Sequence, residues 1–114
     1  MLKKLNRITK DKEFDSIFKA GKGAYSKVLG MKAISTENSE SRFGILVSTK
    51  VSKKAVVRNR LKRQIRDILK QNLDNIKPGQ DCVVLTLPQI KEADFKQIEE
   101  AVIFCLKRLK LLLK

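Results

Sequence analysis

Histidine is absent from the 114 residues, which removes the commonest general base and the commonest transition-metal ligand. Cysteine is scarce. Cys82 and Cys105 are the only two, far apart and each inside an apolar run, so no CxxC or metal-ligand spacing exists and both are expected as buried free thiols. Acids number 12 against 26 lysines and arginines, and they are scattered: Asp11, Glu13 and Asp15 suit a helix start, Glu99 and Glu100 a surface, Asp94 a cap. A protein nuclease needs clustered carboxylates for metal ions, or a base beside a nucleophile, and the chain offers neither. A GxxxxGK[ST] phosphate loop is missing too, since GKG at 21–23 lacks the spacing. No apolar run approaches the roughly 20 residues of a membrane span, and MLKKLNRITK has no apolar signal-peptide stretch. These absences lead to the expectation of a cytoplasmic binding protein with no membrane association and no bound metal.

Hydrophobic residues make up 42% of the chain and charged residues 33%, the composition of a folded domain and not of a disordered tail. The length suits one domain with one modest core, residues 1–114. A formal net charge of +14 and a pI near 10.1 call for a polyanionic partner.

The charge is concentrated. In residues 50–70, KVSKKAVVRNRLKRQIRDILK, nine lysines and arginines stand against one acid, Asp67, so more than half of the excess charge lies in less than a fifth of the chain. Val57, Leu61, Ile65, Ile68 and Leu69 share one arc at about 100° per residue, with Leu73 and Ile76 at its edge. Asn59, Lys62, Arg63, Arg66 and Lys70 share the neighbouring arc. One face can enter a core while its flank holds cations in a row, and Ser52 is a candidate N-cap. A basic helical flank is usually just a solvated surface. Here the arginine fraction and the near absence of acids favour nucleic-acid binding, because a guanidinium fork matches phosphate oxygens in pairs and a helix sets the spacing between forks.

Around this helix the chain reads in order. Residues 1–8 form a mobile basic arm with Lys3, Lys4 and Arg7, and with Leu2, Leu5 and Ile8 available for docking. Residues 9–21 are a short helix capped by Thr9 or Asp11 and ended by Gly21, with Phe14 and Phe18 stacked at i, i+4; they are either core or a platform for unpaired bases. GKGAYSK is a turn-like linker. Residues 27–35 alternate as a strand, with Leu29, Met31 and Ala33 on one side and Val28, Gly30, Lys32 and Ile34 on the other. After the polar loop TENSES, residues 42–49 make a second strand, antiparallel to the first because the connection is short. Residues 81–87, DCVVLTL, are an inner strand covered on both faces. Asp94 caps a last helix whose stripe is Phe95, Ile98, Val102, Leu106, Leu109 and Leu113, a lid for the core rather than a membrane-surface helix. The order is α-β-β(-β)-α-β-α, an α+β sandwich with helices on a small mixed sheet.

The run Ala55-Val56-Val57-Arg58-Asn59-Arg60-Leu61-Lys62-Arg63-Gln64-Ile65-Arg66 resembles the RNR signature of the bacterial ribonuclease P protein subunit. The similarity extends to Phe14-x-x-Ile17-Phe18-Lys19-x-Gly21, to Arg42-x-Gly44-Ile45-x-Val47-Ser48 and to the apolar strand before Pro88. The resemblance implies a fold like ribosomal protein S5 domain 2, with a left-handed βαβ crossover that the usual right-handed rule would reject. It also implies a partner, the ribonuclease P RNA, which itself removes the 5′ leader from precursor tRNA using Mg2+, with one protein per RNA and no catalytic residue on the protein. RNA contact is then expected from Lys53, Lys54, Arg58, Asn59, Arg60, Lys62, Arg63, Arg66 and Lys70. A cleft holding the single-stranded leader is expected at Phe14, Phe18 and Lys32. Relatives often carry bulky or aromatic side chains on the first strand's cleft face; Gly30 and Lys32 here imply thinner stacking and more phosphate contact. The rival readings are a basic ribosomal or RNA-chaperone protein, which would share the charge but not the RNxxKRxxR register, and a DNA-binding regulator, which would show two short helices with a tight turn.

Overall fold

The strand Gln80–Thr86 is apolar on both sides of its pleat, and the architecture follows from where such a strand can be placed. In the computed structural model, which describes residue 3 and residues 6–113, the elements are α1 (Asp11–Ala20), β1 (Lys22–Tyr25), β2 (Leu29–Ser35), β3 (Arg42–Leu46), α2 (Ala55–Asn72), β4 (Gln80–Thr86) and α3 (Phe95–Arg108), with short 3₁₀ turns at Leu73–Asn75 and Pro88–Glu92. The sheet order is β1-β2-β4-β3. β4 runs antiparallel to β2 and parallel to β3, so it is hydrogen-bonded along both edges. Cys82 and Val84 point into the main core beneath α2 and α3, and Val83 points into a smaller cluster with Ile8 and Ile17 beneath α1. This is the α+β sandwich on a mixed sheet expected from the sequence.

β3 does run antiparallel to β2, but the two are not neighbours, because β4 lies between them. The six-residue loop 36–41 therefore bridges the start of β4 instead of closing a hairpin. The Thr36 amide and hydroxyl both donate to the Gly79 carbonyl, at 2.7 and 3.1 Å. Ser41 Oγ donates to the Lys77 carbonyl at 2.8 Å and accepts from the Gln80 amide at 3.1 Å. Gly79, at φ +77, is required here: a Cβ would lie 2.9 Å from the Asn38 carbonyl oxygen, and the left-handed backbone would strain any other residue.

Other boundaries shift for local reasons. The turn-like linker contains a real strand, β1, because each of its residues finds a partner on β2. The first helix is flanked by Lys10 with no side-chain cap, so neither Thr9 nor Asp11 caps it. Ser52 Oγ accepts from the Lys54 amide at 3.1 Å, which orders the approach to α2 without capping its first turn, and Arg58 Nη1 ties the same turn through the Ser52 carbonyl at 3.0 Å. Residues 6–8 of the expected arm meet the sheet: Asn6 is buried and donates to the Ser41 carbonyl at 2.8 Å, and the Ile8 amide donates to the Phe43 carbonyl at 2.9 Å. Of the rest of the expected arm, residues 1, 2, 4 and 5 lie outside the described residues.

α2 and α3 pack on the face of the sheet opposite α1. Leu61, Ile65, Ile68 and Leu69 of α2 are buried, as the periodicity predicts. α3 carries the expected Asp94 cap, whose carboxylate accepts from the Gln97 amide while Gln97 Oε1 accepts from the Asp94 amide. Its stripe is shorter than expected. Ile98, Val102 and Leu106 are buried, but Phe95 and Leu113 are exposed. The helix stops at Arg108, and a turn at Lys110, φ 60, folds Leu111 back into the core. Among the described residues no helix is long and apolar enough to cross a membrane.

Both cysteines are buried free thiols, and burial raises their pKa from 9.0 to about 12 for Cys82 and about 11 for Cys105. Neutral thiols in the folded state beside ionisable ones in the unfolded chain contribute stability that is complete below about pH 9 and is lost as pH climbs toward the folded values. Iodoacetamide at pH 8 should therefore leave both thiols of the native chain unmodified and alkylate both in denaturant. Replacing the fully buried Ile65 by Ala should lower stability by about 2–5 kcal/mol. Val56→Ala, at a side chain 80% exposed, should stay within about 0.5 kcal/mol in the same urea titration.

Candidate nucleic-acid interface

The buried seam of α2 sets the direction of everything on its flank. With Leu61, Ile65 and Ile68 locked in the core, Asn59, Arg63 and Lys70 are exposed, and Lys62 and Arg66 are partly exposed beside them. Steps of three and four along a helix bring neighbouring Cβ atoms to about 5–6 Å, so these side chains form a row. Lys53, Lys54 and Arg60 are also exposed, and Arg58 is half-buried because its guanidinium anchors Ser52. Asp67 is the one acid on the helix.

Arg7 adds to this row, which the helix periodicity could not show. The Arg66 guanidinium has its pKa lowered by partial burial and, secondarily, by the charge of Arg7. Residues 6–8 run beside β3 and bring this cation to the flank of α2 from a distant part of the sequence.

The second region lies on the opposite face of the sheet. Arg42 of β3 donates Nε and Nη2 to the two carboxylate oxygens of the buried Asp81 on β4, at 3.0 and 2.7 Å, and Nη2 also pairs with Glu13 of α1 at 2.6 Å. The hydrogen bonds to Asp81, reinforced by Glu13, hold the guanidinium pKa well above its ordinary value. At the other end of α1, Lys32 Nζ of β2 donates to the Phe18 carbonyl at 2.9 Å and stands 5.9 Å from the centre of the Phe18 ring, within cation–π range. α1 is thus fastened to the sheet near both of its ends.

Between these fastenings, Phe14 lies directly on Gly44, where an added Cβ would come within 2.4 Å of the ring. Phe14 and Phe18 are half-buried against the small cluster of Ile8, Ile17 and Val83, so each contributes to packing while keeping a partly open face. The structure brings Phe14, Phe18 and Lys32 to one side of the sheet. Lys32 is less free than the sequence implied, since one of its three N–H donors is used by Phe18.

Gly30 does not leave the bare floor expected of it. Tyr25 of β1 is its cross-strand partner, and the tyrosine ring covers the position that a Gly30 side chain would fill, 2.3 Å from the built Cβ. Sequence reading missed Tyr25 because its segment was taken as a linker. An aromatic residue opposite a glycine in an antiparallel pair was the available signal. Leu85, paired with Gly30, and Leu46, paired with Leu85, continue that row across the sheet and are only half-buried. A separate cavity of about 370 Å³, lined by Lys22, Ile34, Lys77, Gln80 and Lys110 among others, sits at the far end of β2 and holds none of the predicted residues.

Among the described residues no group of three or more His, Cys, Asp or Glu gathers as a metal site. A family model for ribonuclease P matches residues 2–110. A ribonuclease P protein component from Synechocystis sp. is 45% identical over 89 residues, covering 77% of this chain and 72% of the relative. One from Clostridium botulinum is 38% identical over 106 residues, covering 92% and 95%. The solved RNase P protein of Staphylococcus aureus superposes with a TM-score of 0.87 at 30% identity, over 94% of this chain and 97% of that one. That of Thermotoga maritima gives 0.81 at 33% identity, over 90% and 96%.

Arg42→Ala should test how α1 is held. It leaves the Asp81 carboxylate buried without its partner, a loss expected to cost about 3 kcal/mol, and hydrogen exchange in α1 should accelerate more than in α3.

Proposed function

The chain belongs to the ribonuclease P protein family, and from that premise we propose that it grips the ribonuclease P RNA through α2 and holds the precursor tRNA leader in the cleft beneath α1. The family is the protein subunit of the endonuclease that matures tRNA 5′ ends. The observation that carries the proposal is the cation row on α2, fixed by a buried seam and crowded further by Arg7. Arginines at fixed spacing suit the phosphates of a structured RNA, whereas an aromatic-floored groove beside Lys32 suits a single strand.

In this reading, cutting belongs to the RNA and its Mg2+. The chain's share is electrostatic and positional. Neutralising close-packed phosphates lowers the magnesium needed for a compact RNA, and holding the leader lengthens the life of the substrate complex. A basic ribosomal or chaperone role would use the same charge, but the family match does not favour it.

Added to a bacterial ribonuclease P RNA at low magnesium, the chain should raise the rate of leader cleavage above that of the RNA alone. An unchanged rate would refute the proposal. Arg63→Ala and Arg66→Ala should each weaken RNA affinity and flatten its dependence on log salt by about one unit per lost phosphate contact.

A further inference from the structure

We infer that Tyr25, lying across Gly23 and Gly30 at the edge of the sheet, is a base-stacking residue for single-stranded RNA, set beside the Lys32 cation. The inference rests on the leader-cleft reading and adds to it a residue from a different strand.

The placement follows from the β1–β2 register. Tyr25 pairs with Gly30, and Gly23 pairs with Lys32. Directly opposed residues project to the same face, and Lys32 faces α1 through its bond to Phe18, so Tyr25 lies on the α1 side of the sheet. Gly30 is needed for the ring to lie down, and Gly23 leaves room beside it. A Cβ on Gly30 would come within 2.3 Å of Tyr25 Cδ1, and one on Gly23 would come 3.2 Å from Cε2 and 3.7 Å from Lys32 Cε. The ring therefore lies against bare backbone next to the lysine stem, with Phe18 beyond the ammonium group. The ammonium itself stands over the Phe18 ring, and the aliphatic end of the lysine borders the tyrosine.

Tyr25 remains 55% exposed, which sets it apart from the phenylalanines of α1. One side of its ring is covered by the sheet and the other is open to solvent. A flat aromatic face held still beside a cation fits a nucleotide, whose base stacks on the ring while its phosphate meets the ammonium. Stacking on this face does not require the hydroxyl.

The test uses the chain reconstituted with ribonuclease P RNA, titrated with precursor tRNA and with mature tRNA lacking the leader. Tyr25→Ala should weaken precursor binding by about 5- to 100-fold and leave mature tRNA unchanged, while Tyr25→Phe should bind as the parent does. Tyr25→Leu covers the glycines without a flat π-face, so it should show the same leader-dependent loss even if the alanine variant folds poorly. Tyr25 is the chain's one tyrosine and tryptophan is absent, so its emission reports on this ring and should fall when a short single-stranded RNA binds. Unchanged precursor affinity for Tyr25→Leu, with Phe18→Ala still impaired, overturns the inference and leaves the cleft standing. Loss from neither variant removes the cleft reading itself, and equal loss with mature tRNA overturns the inference for Tyr25.

Discussion

A strand with apolar side chains on both faces cannot sit at a sheet edge or face water, and β4 imposes that constraint on the whole chain. It needs a hydrogen-bonding neighbour along each side and a helical cover above and below. β2 and β3 supply the neighbours, α2 and α3 cover Cys82 and Val84, and α1 covers Val83. The two candidate surfaces follow from these covers. α2 can present cations only on the flank that its buried seam leaves outside. α1 covers part of the opposite face and leaves the row from Tyr25 to Leu46 half-open.

The two surfaces store interaction differently. On α2 the charges are mostly of one sign, with Asp67 the one acid of the helix, and their directions are fixed by packing. In the cleft, charge is mostly compensated: Arg42 is matched by Asp81 and Glu13, and Lys32 is partly committed to Phe18. That compensation holds α1 at a fixed position over the sheet, and it leaves flat rings on small residues as the available recognition chemistry. Glycine at 23, 30 and 44 serves this arrangement, since a side chain at 30 or 44 would lift Tyr25 or Phe14 off the backbone.

Much of this was legible in the linear chain. The period of α2 separated its buried seam from its cations, Asp94 marked the start of α3, and the apolar run before Pro88 identified the inner strand. These are local signals, carried by residues a few positions apart. The structure also bore out the reading of Cys82 and Cys105 as buried free thiols, because an apolar run around a cysteine needs only a core to enter.

The tertiary structure alone decided which strands became neighbours. The short connection between β2 and β3 suggested a hairpin, but β4, arriving 34 residues after β3 ends, takes the place between them because it has more apolar surface to cover. The same long-range competition drew Arg7 to Arg66, joined Arg42 to both Asp81 and Glu13, and laid Tyr25 over Gly30. Residue periodicity specifies which face of an element avoids water. Which partner covers that face depends on every other element competing for it, and that is settled only when the chain folds.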